Sequence, residues 1–488
     1  MVMIDRSDVV ADPPDDNEWI GLADIGSTFT KLRAVTADGR MVGSTQYPTV
    51  HGDVLVGLTS AQRELEQLHP ARVFTQTVAC SSAGGGLRMA VVGLERELTV
   101  EAARQAALSA GARVTTVVSA GLKGAGDAVE LLRRQPDIIL LVGGTNGGDE
   151  VTLRESAKAL AEVGGDHVPV VIAGNDLVQD EAAAWLWNAG WMVAQAPNVM
   201  PAIRTFNPSG VREVVRRLFI SHVIGGKLGG GEQLKQFVQM ATPDAVLRGT
   251  ELLTGLLAQR GIGEGLIVVD VGGATTDVHS ASVRSRQPQG YKRDLLPQSM
   301  SARSVEADLG VRWNALGIVE AAREEGLLDA TEIAELKDRA AAREQEPTYL
   351  SHCQAEADVD RRLTMLAVTI ALRRHVGRER LTLTPHGAVL AREGRDLMEA
   401  SLLIGTGGPM RALTPDDLNA CLASALGRQR LLLPRYVRTR IDHNCVLAAV
   451  GLLTGEHEPT ASALLESSMS SLFDRSSTNP QGAHSDAD

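Results

Sequence analysis

The sequence predicts an α/β protein: two like halves face each other across a cleft, with a further α/β region inserted in the middle. Three observations predict this. Trp19-Ile-Gly-Leu-Ala-Asp24-Ile-Gly26-Ser27-Thr28-Phe-Thr30-Lys31 is an apolar strand ending in Asp, then Gly and small hydroxyl residues, then more strand. Leu266-Ile-Val-Val-Asp270-Val-Gly272-Gly273-Ala-Thr275-Thr276-Asp277 repeats that design about half the chain away. Between them, Pro136–Val142, the helical stretch from Glu150 to Val163 and the strand Val168–Ala173 form a βαβ pattern of another kind.

The two repeated hairpins suit a nucleotide. A strand that stops at Gly-Ser-Thr or Gly-Gly-Ala-Thr exposes backbone N–H groups with no Cβ in the way and can wrap phosphate oxygens closely. Ser27, Thr28, Thr275 and Thr276 add hydroxyl donors, and Lys31 brings a compact positive charge to a β- or γ-phosphate. Asp24 and Asp270 would repel phosphate unless a cation lies between them, and Mg²⁺ is held by such carboxylates through its own waters. Asp277 is a third acid at the same turn. Asp-x-Gly is common in ordinary turns; it is the pair, in matched halves, that points to a nucleotide with Mg²⁺.

Composition narrows the class. The 488 residues suffice for two to three domains. Aromatics at 3% and a net charge of −12 argue against stacking on single strands, broad nucleic-acid binding or adhesion to anionic membranes. The four cysteines (Cys80, Cys353, Cys421, Cys445) are scattered and form no Cys-x-x-Cys pair. With no secretory signal or membrane-length apolar run expected, the reading is cytoplasmic.

Along the chain, residues 1–18 read as a disordered acidic arm and 19–122 as the first nucleotide half. That half holds strands at Arg40–Tyr47, Arg72–Ala79 and Arg113–Ser119, a helix from Asp53 to Leu68, and one from Thr99 to Ala110 with Thr99 as N-cap. Residues 123–242 read as the inserted α/β region, closing on a flexible Gly225–Gly231 joint. Residues 243–466 read as the second half, helical over much of Arg303–Gly377 with Arg361, Arg362, Arg373 and Arg374 on a solvated face; strand character resumes over Arg380–Leu390, and 467–488 reads as a disordered tail. In that half Ser401-Leu-Leu-Ile ends at Gly405-Thr-Gly407-Gly408, a platform flat enough for an adenine ring, and Asp442–Gly451 reads as a small-residue helix.

The order of these elements resembles the actin, heat-shock chaperone and sugar-kinase superfamily, whose halves are ribonuclease-H-like ATPase domains. That resemblance implies that Asp24, Asp270 and Asp277 surround Mg²⁺ and the phosphates, that Asp24 and Asp270 serve catalysis, and that Gly405, Gly407 and Gly408 line the adenosine site. A narrower resemblance rests on Asp24–Lys31, Ser81-Ser-Ala-Gly-Gly-Gly-Leu-Arg-Met89, Leu141-Val-Gly-Gly-Thr-Asn-Gly-Gly-Asp149, Ala173-Gly-Asn-Asp176, Asn198-Val-Met-Pro201 and Asp270–Asp277. These look like the GlmL (MutL) family, the glutamate-mutase-associated proteins, unrelated to the mismatch-repair protein that shares the short name. The resemblance implies an ATP-dependent accessory or reactivating protein for an adenosylcobalamin-dependent mutase, with a slow Mg-dependent ATPase and mutase subunits as partners; the middle region, which has no job in the nucleotide cleft, is expected to be their contact. A small-molecule kinase is the alternative, and a clamp that binds ATP without turnover is another. Direct cobalamin binding is not expected, because His222-Val-Ile-Gly225 has Ile220 where an Asp-x-His-x-x-Gly signature needs Asp.

Overall fold

A computed structural model describes residues 18–50, 52–83, 87–95, 98–165, 167–203, 205–224, 231–284, 291–292, 299–384, 387–427 and 430–473. The arm up to residue 17, the glycines at 84–86, most of the glycine joint (225–230) and the tail from 474 lie outside the described residues.

The first half opens as an antiparallel meander, β1 (Glu18–Ile25), β2 (Phe29–Val35) and β3 (Met41–Pro48). After Glu18 every residue of β1 is buried, the pattern of a central strand covered on both faces. Helix α1 (Leu55–Leu68) turns Leu58, Ala61 and Leu65 inward at helical spacing and delivers β4 (Val73–Ser81), parallel to β1.

The chain then leaves this sheet and builds another: β5 (Leu87–Gly93), α2 (Thr99–Ser109), β6 (Ala112–Ser119), α3 (Ala125–Arg133), β7 (Ile138–Leu141), α4 (Val151–Val163), β8 (Val170–Ile172), α5 (Asp176–Asn188) and β9 (Val193–Gln195). Its five strands are all parallel, in the order β6-β5-β7-β8-β9. This is a doubly wound sheet of the 2-1-3-4-5 type. It starts at Leu87, whereas the sequence reading opened the inserted region at 123. A strand's sequence reports that it is buried and not which sheet it joins; the sequence reading places β6 with the first half and names no strand at β5.

Helix α6 (Ser209–Leu218), a π-helical turn (Phe219–Ile224) and α7 (Gly231–Phe237) lead back to β10 (Val238–Ala241), which pairs parallel with β4. The first sheet therefore has the order β3-β2-β1-β4-β10.

The second half repeats that plan. Helix α8 (Thr242–Gln259) precedes β11 (Gly265–Val271) and β12 (Thr276–Ser282). The short β13 (Tyr291–Lys292) belongs to a side sheet, and β14 (Ser301–Glu306) then pairs antiparallel with β12. Helices α9 (Ala315–Glu324), α10 (Ala330–Gln345) and α11 (Gln354–His375) follow. The hairpin β15 (Arg378–Thr384) and β16 (Gly387–Glu393) completes the side sheet. Last come β17 (Leu402–Thr406), α12 (Pro415–Leu426), β18 (Arg438–Ile441), α13 (Val446–Leu453), α14 (Glu458–Ser468) and α15 (Ser470–Phe473). The main sheet runs β14-β12-β11-β17-β18, so both halves have three antiparallel strands on one side of the junction and two parallel strands on the other.

Four local expectations change. Arg303 sits in strand β14, not at the start of helical sequence. Thr99 is the first residue of α2 rather than its cap; its hydroxyl instead accepts from Glu95 N at 3.1 Å. Residues 467–468 and 470–473 are helical about a turn at Met469, because Met469 and Leu472 bury against the core shared by the halves. The arginines of α11 are paired rather than merely solvated: Arg361 with Asp417, Arg362 with Glu332, Arg373 with Glu325, Arg374 with Glu306 and Asp308.

The halves are joined by α8 and α13, which cross with their backbones in contact. A Cβ on Gly451 would lie 1.8 Å from Ala245 O, and one on Gly249 would lie 2.2 Å from Leu447 O. Every residue of α13 is buried, as its apolar sequence on all sides requires.

Candidate functional site

Each conspicuous hairpin lies at the end of a central strand. In the first, register places Lys31 opposite Asp24, with Lys31 Nζ 3.4 Å from Asp24 Oδ2. Thr242 Oγ1 donates to Asp24 Oδ1 at 2.9 Å. Gly26 N donates to Phe29 O at 3.1 Å, so tightly that a Cβ on Gly26 would lie 2.8 Å from that oxygen. The Ser27 hydroxyl donates to Ser82 O at 3.3 Å, while the buried Thr28 Oγ1 has no partner among the described residues.

In the second hairpin Asp270 pairs with Asp277 in register, and Gly272 N donates to Thr275 O at 2.9 Å. Thr275 Oγ1 donates to Asp277 Oδ2 at 3.0 Å, and Arg303 Nε to Asp277 Oδ1 at 2.8 Å. Both carboxylate oxygens of Asp277 are thus engaged. Thr276 faces the core, fully buried, and donates to Leu309 O at 2.7 Å, so its hydroxyl is not offered to the turn.

The two turns meet. A Cβ on Gly273 would lie 2.3 Å from Thr28 Oγ1. Gly407, at φ +101°, closes against the second hairpin: a Cβ there would lie 2.7 Å from Asp270 Oδ1 and 2.2 Å from Val271 O. Gly408 faces open space, but Gly405 is packed inside against Met410, Ile441 and Leu418 and offers no platform. The structure therefore brings together Asp24, Gly26, Ser27, Thr28, Lys31, Gly272, Gly273, Thr275, Asp270, Asp277 and Gly407, and turns Thr276 and Gly405 away.

The electrostatics are unbalanced in one place. Burial, then the Asp277, Asp24 and Asp442 carboxylates, push the Asp270 carboxyl up to about 7, with Lys31 alone opposing them. Burial would lower the Lys31 ammonium, yet Asp24, Cys445 and Asp270 outweigh it and hold the pKa above the ordinary lysine value. Among the described residues Asp270 accepts no hydrogen bond and has no ion-pair partner, and no group of three or more His, Cys, Asp or Glu side chains is placed to hold a metal directly. An unneutralised carboxylate beside Asp24 fits a cation held through its waters and not one coordinated by all three acids.

Three contributors had little or no sequence signal. Thr242 opens α8 behind Asp24; a Thr-Pro helix start marks a terminus but not its neighbour. Asp442 accepts from Thr406 Oγ1 at 3.0 Å and from Val446 N at 2.9 Å, fixing α13 beside the cleft. Arg303 had no signal at all. Two cavities lie elsewhere: one of about 1170 Å³ between the doubly wound unit and α8, beside Arg212, Glu251 and Arg303, and one of about 520 Å³ near Asn146 and Asn198. Neither is lined by a residue of the two turns. No helix among the described residues is long and apolar enough to cross a membrane.

Two five-stranded sheets of one topology, each presenting an Asp-Gly hairpin to a common junction and joined by crossing helices, form the two-lobed α/β fold with duplicated halves that the sequence predicts. Within it, a sequence profile of the MutL protein family matches residues 20–469. Protein MutL of Clostridium tetanomorphum is 36% identical over 443 residues, covering 88% of this chain and 95% of that protein. The chain belongs to the MutL family. Solved structures similar to it include a ROK family glucokinase from Streptomyces griseus with glucose and AMPPNP (10% identity, 89% of this chain and 97% of that one, TM-score 0.31). Another is the activator of the 2-hydroxyisocaproyl-CoA dehydratase from Clostridium difficile with bound ADPNP (10%, 93% and 97%, TM-score 0.28). Both scores are low, and the fold rests on the strand orders given above.

Proposed function

We propose that this protein binds and slowly hydrolyses Mg-ATP between its two halves and uses the resulting motion to service an adenosylcobalamin-dependent mutase, as an accessory or reactivating protein. The observation that carries the nucleotide reading is the pair of abutting Asp-Gly hairpins, with Lys31 paired to Asp24 and Asp270 without a hydrogen-bond or ion-pair partner among the described residues. The mutase reading rests on membership of the MutL family.

In this reading the N–H groups of the two turns wrap the phosphates, and Lys31 meets a terminal phosphate oxygen. Asp24 and Asp270 hold Mg²⁺ through water, and that ion when bound offsets phosphate charge. Asp277, held by Arg303, stands behind Asp270 and fixes the turn. Gly408 faces open space and leaves room for the nucleoside, while Gly407 packs against Asp270 and Val271. The doubly wound unit makes no part of either hairpin and is the region proposed to meet the mutase. Relative rotation of two lobes about a nucleotide is an established way to move a bound partner.

The test is Mg-ATP hydrolysis by the purified protein, alone and with the cobalamin mutase subunits of the same organism, scored together with recovery of mutase inactivated by cobalamin damage. Stimulated hydrolysis with recovered activity is expected. Hydrolysis indifferent to the mutase, with phosphate transferred to an added metabolite, would instead identify a small-molecule kinase.

A further inference from the structure

Arg303 belongs to neither hairpin. It lies on β14, the edge strand of the second sheet, yet its side chain points inward and the residue is only 6% exposed. Its guanidinium divides between two units. Nε donates to Asp277 Oδ1 at 2.8 Å and Nη2 lies 2.5 Å from the same oxygen, while Nη1 donates to Leu108 O at 3.3 Å and to Ala112 O at 3.0 Å. Those two carbonyls flank the turn between α2 and β6 of the doubly wound unit. A planar, rigid fork therefore ties a carboxylate of the second hairpin to the backbone of another sheet.

The same turn is tied to the first hairpin from its other side. Gly111 has φ +83°, and a Cβ there would lie 2.9 Å from Ala241 Cβ and 3.4 Å from Asp244 N. Ala241 and Asp244 bracket Thr242, the residue whose hydroxyl holds Asp24. Asp24 and Asp277, one from each half, thus converge on a single turn at residues 108–112. An arginine needed only to balance Asp277 has no reason to spend its remaining N–H groups on another unit's backbone.

We propose that Arg303 is a positioning residue that carries the state of the cleft to the doubly wound unit. The inference rests on the nucleotide reading above. When occupancy of the cleft moves Asp277 or alters the charge around it, the guanidinium must follow, and the two carbonyl bonds it makes to the turn change with it. The first strand to register the change is β6, which begins at Ala112.

The experiment is hydrogen exchange on the full chain with and without Mg²⁺ and AMPPNP, for the wild type, Arg303→Lys and Arg303→Gln. Amides of residues 112–119 in the wild type should change their exchange by about tenfold on nucleotide binding, the scale of one charge-assisted hydrogen bond in a local opening. Arg303→Lys keeps a charge for Asp277, but a lone ammonium cannot hold a carboxylate and two carbonyls in one plane. It should still bind nucleotide, with the response at 112–119 reduced to under about twofold. A purely structural role would raise exchange equally with and without nucleotide and leave the ratio intact, which would overturn the proposal. So would a wild type whose 24–31 and 270–277 segments respond to nucleotide while 112–119 do not. That wild-type comparison stands even if both variants fail to fold. No response anywhere would refute the nucleotide reading itself, a distinguishable failure.

Discussion

Replacing Asp270 by Asn should make the nucleotide-free protein more stable and pH-insensitive at the cleft while abolishing hydrolysis. The Asp270 carboxyl is raised from 3.8 to about 7, chiefly by burial and then by Asp277. Between those values the folded state binds more protons than the unfolded one, so stability falls as pH rises through the window and levels off above it. The full shift corresponds to about 4 kcal/mol; because one edge of Asp270 reaches solvent, about 2 kcal/mol is the expected gain from Asp270→Asn at pH 8. By pH 5 the gain should shrink to less than half. The assay is thermal or urea denaturation of both proteins at several pH values, where the pH 8 difference should appear as a rise of about 2–4 °C in Tm. Mg-ATP should reverse the ranking, since it neutralises Asp270 in the wild type and has nothing to neutralise in the variant. An Asp270→Asn protein that is less stable at pH 8, or whose difference ignores pH, would refute the idea of an unneutralised carboxylate.

Three further outcomes are expected. Gly451→Ala drives a Cβ into Ala245 O and should cost about 3 kcal/mol in urea denaturation, whereas Gly255→Ala on α8, which finds open space, should gain up to about 1 kcal/mol. Gly273→Ala should be destabilising through contact with Thr28, and combining it with Thr28→Ala should recover about 1 kcal/mol in a double-mutant cycle; strict additivity would show that the turns do not touch. His279 is fully buried with both ring nitrogens unpartnered among the described residues, and burial followed by the Arg303 charge holds its pKa well below the ordinary histidine value. Its neutral form is therefore compatible with the fold above about pH 6.5, and stability is lost as pH falls below that value. The advantage of His279→Leu over the wild type should grow by about 2 kcal/mol between pH 7 and pH 5; a constant difference would place water or a partner at the ring.

The duplicated hairpins were legible in the sequence because each part had a local cause. Strand β1 is apolar from Trp19 to Ala23 as a doubly covered strand must be, and glycine after Asp is what a turn that tight requires. What escaped was non-local. Nothing in Leu87–Gly93 says that it pairs with Ile138–Leu141 and not with β4, because a buried strand has the same composition in either sheet. The segment Ser301–Glu306 carries few apolar residues, and its inward arginine makes sense only once Asp277 is opposite it. Thr276 reads like Thr275 as a hydroxyl offered to the turn, yet it faces the core and donates to Leu309 O. Gly405 reads as part of a platform, yet it is packed inside against Met410, Ile441 and Leu418.

The position of the doubly wound unit has a mechanical consequence. In each half a crossover joins the fourth strand to the fifth. It is residues 407–437 in the second half and 82–237 in the first, so the whole unit has grown within a connection that parallel strands need anyway. Its root is Ser81–Ser82, the counterpart of the Thr406–Gly407 turn, and Ser82 N and O are bonded to Ile25 and Ser27 of the first hairpin. The unit is thus rooted at the cleft and shares a core with the first sheet, so under the lobe motion proposed above it would tilt with that sheet, with Arg303 at its near end. A small tilt at the root would become a displacement that grows with distance from it.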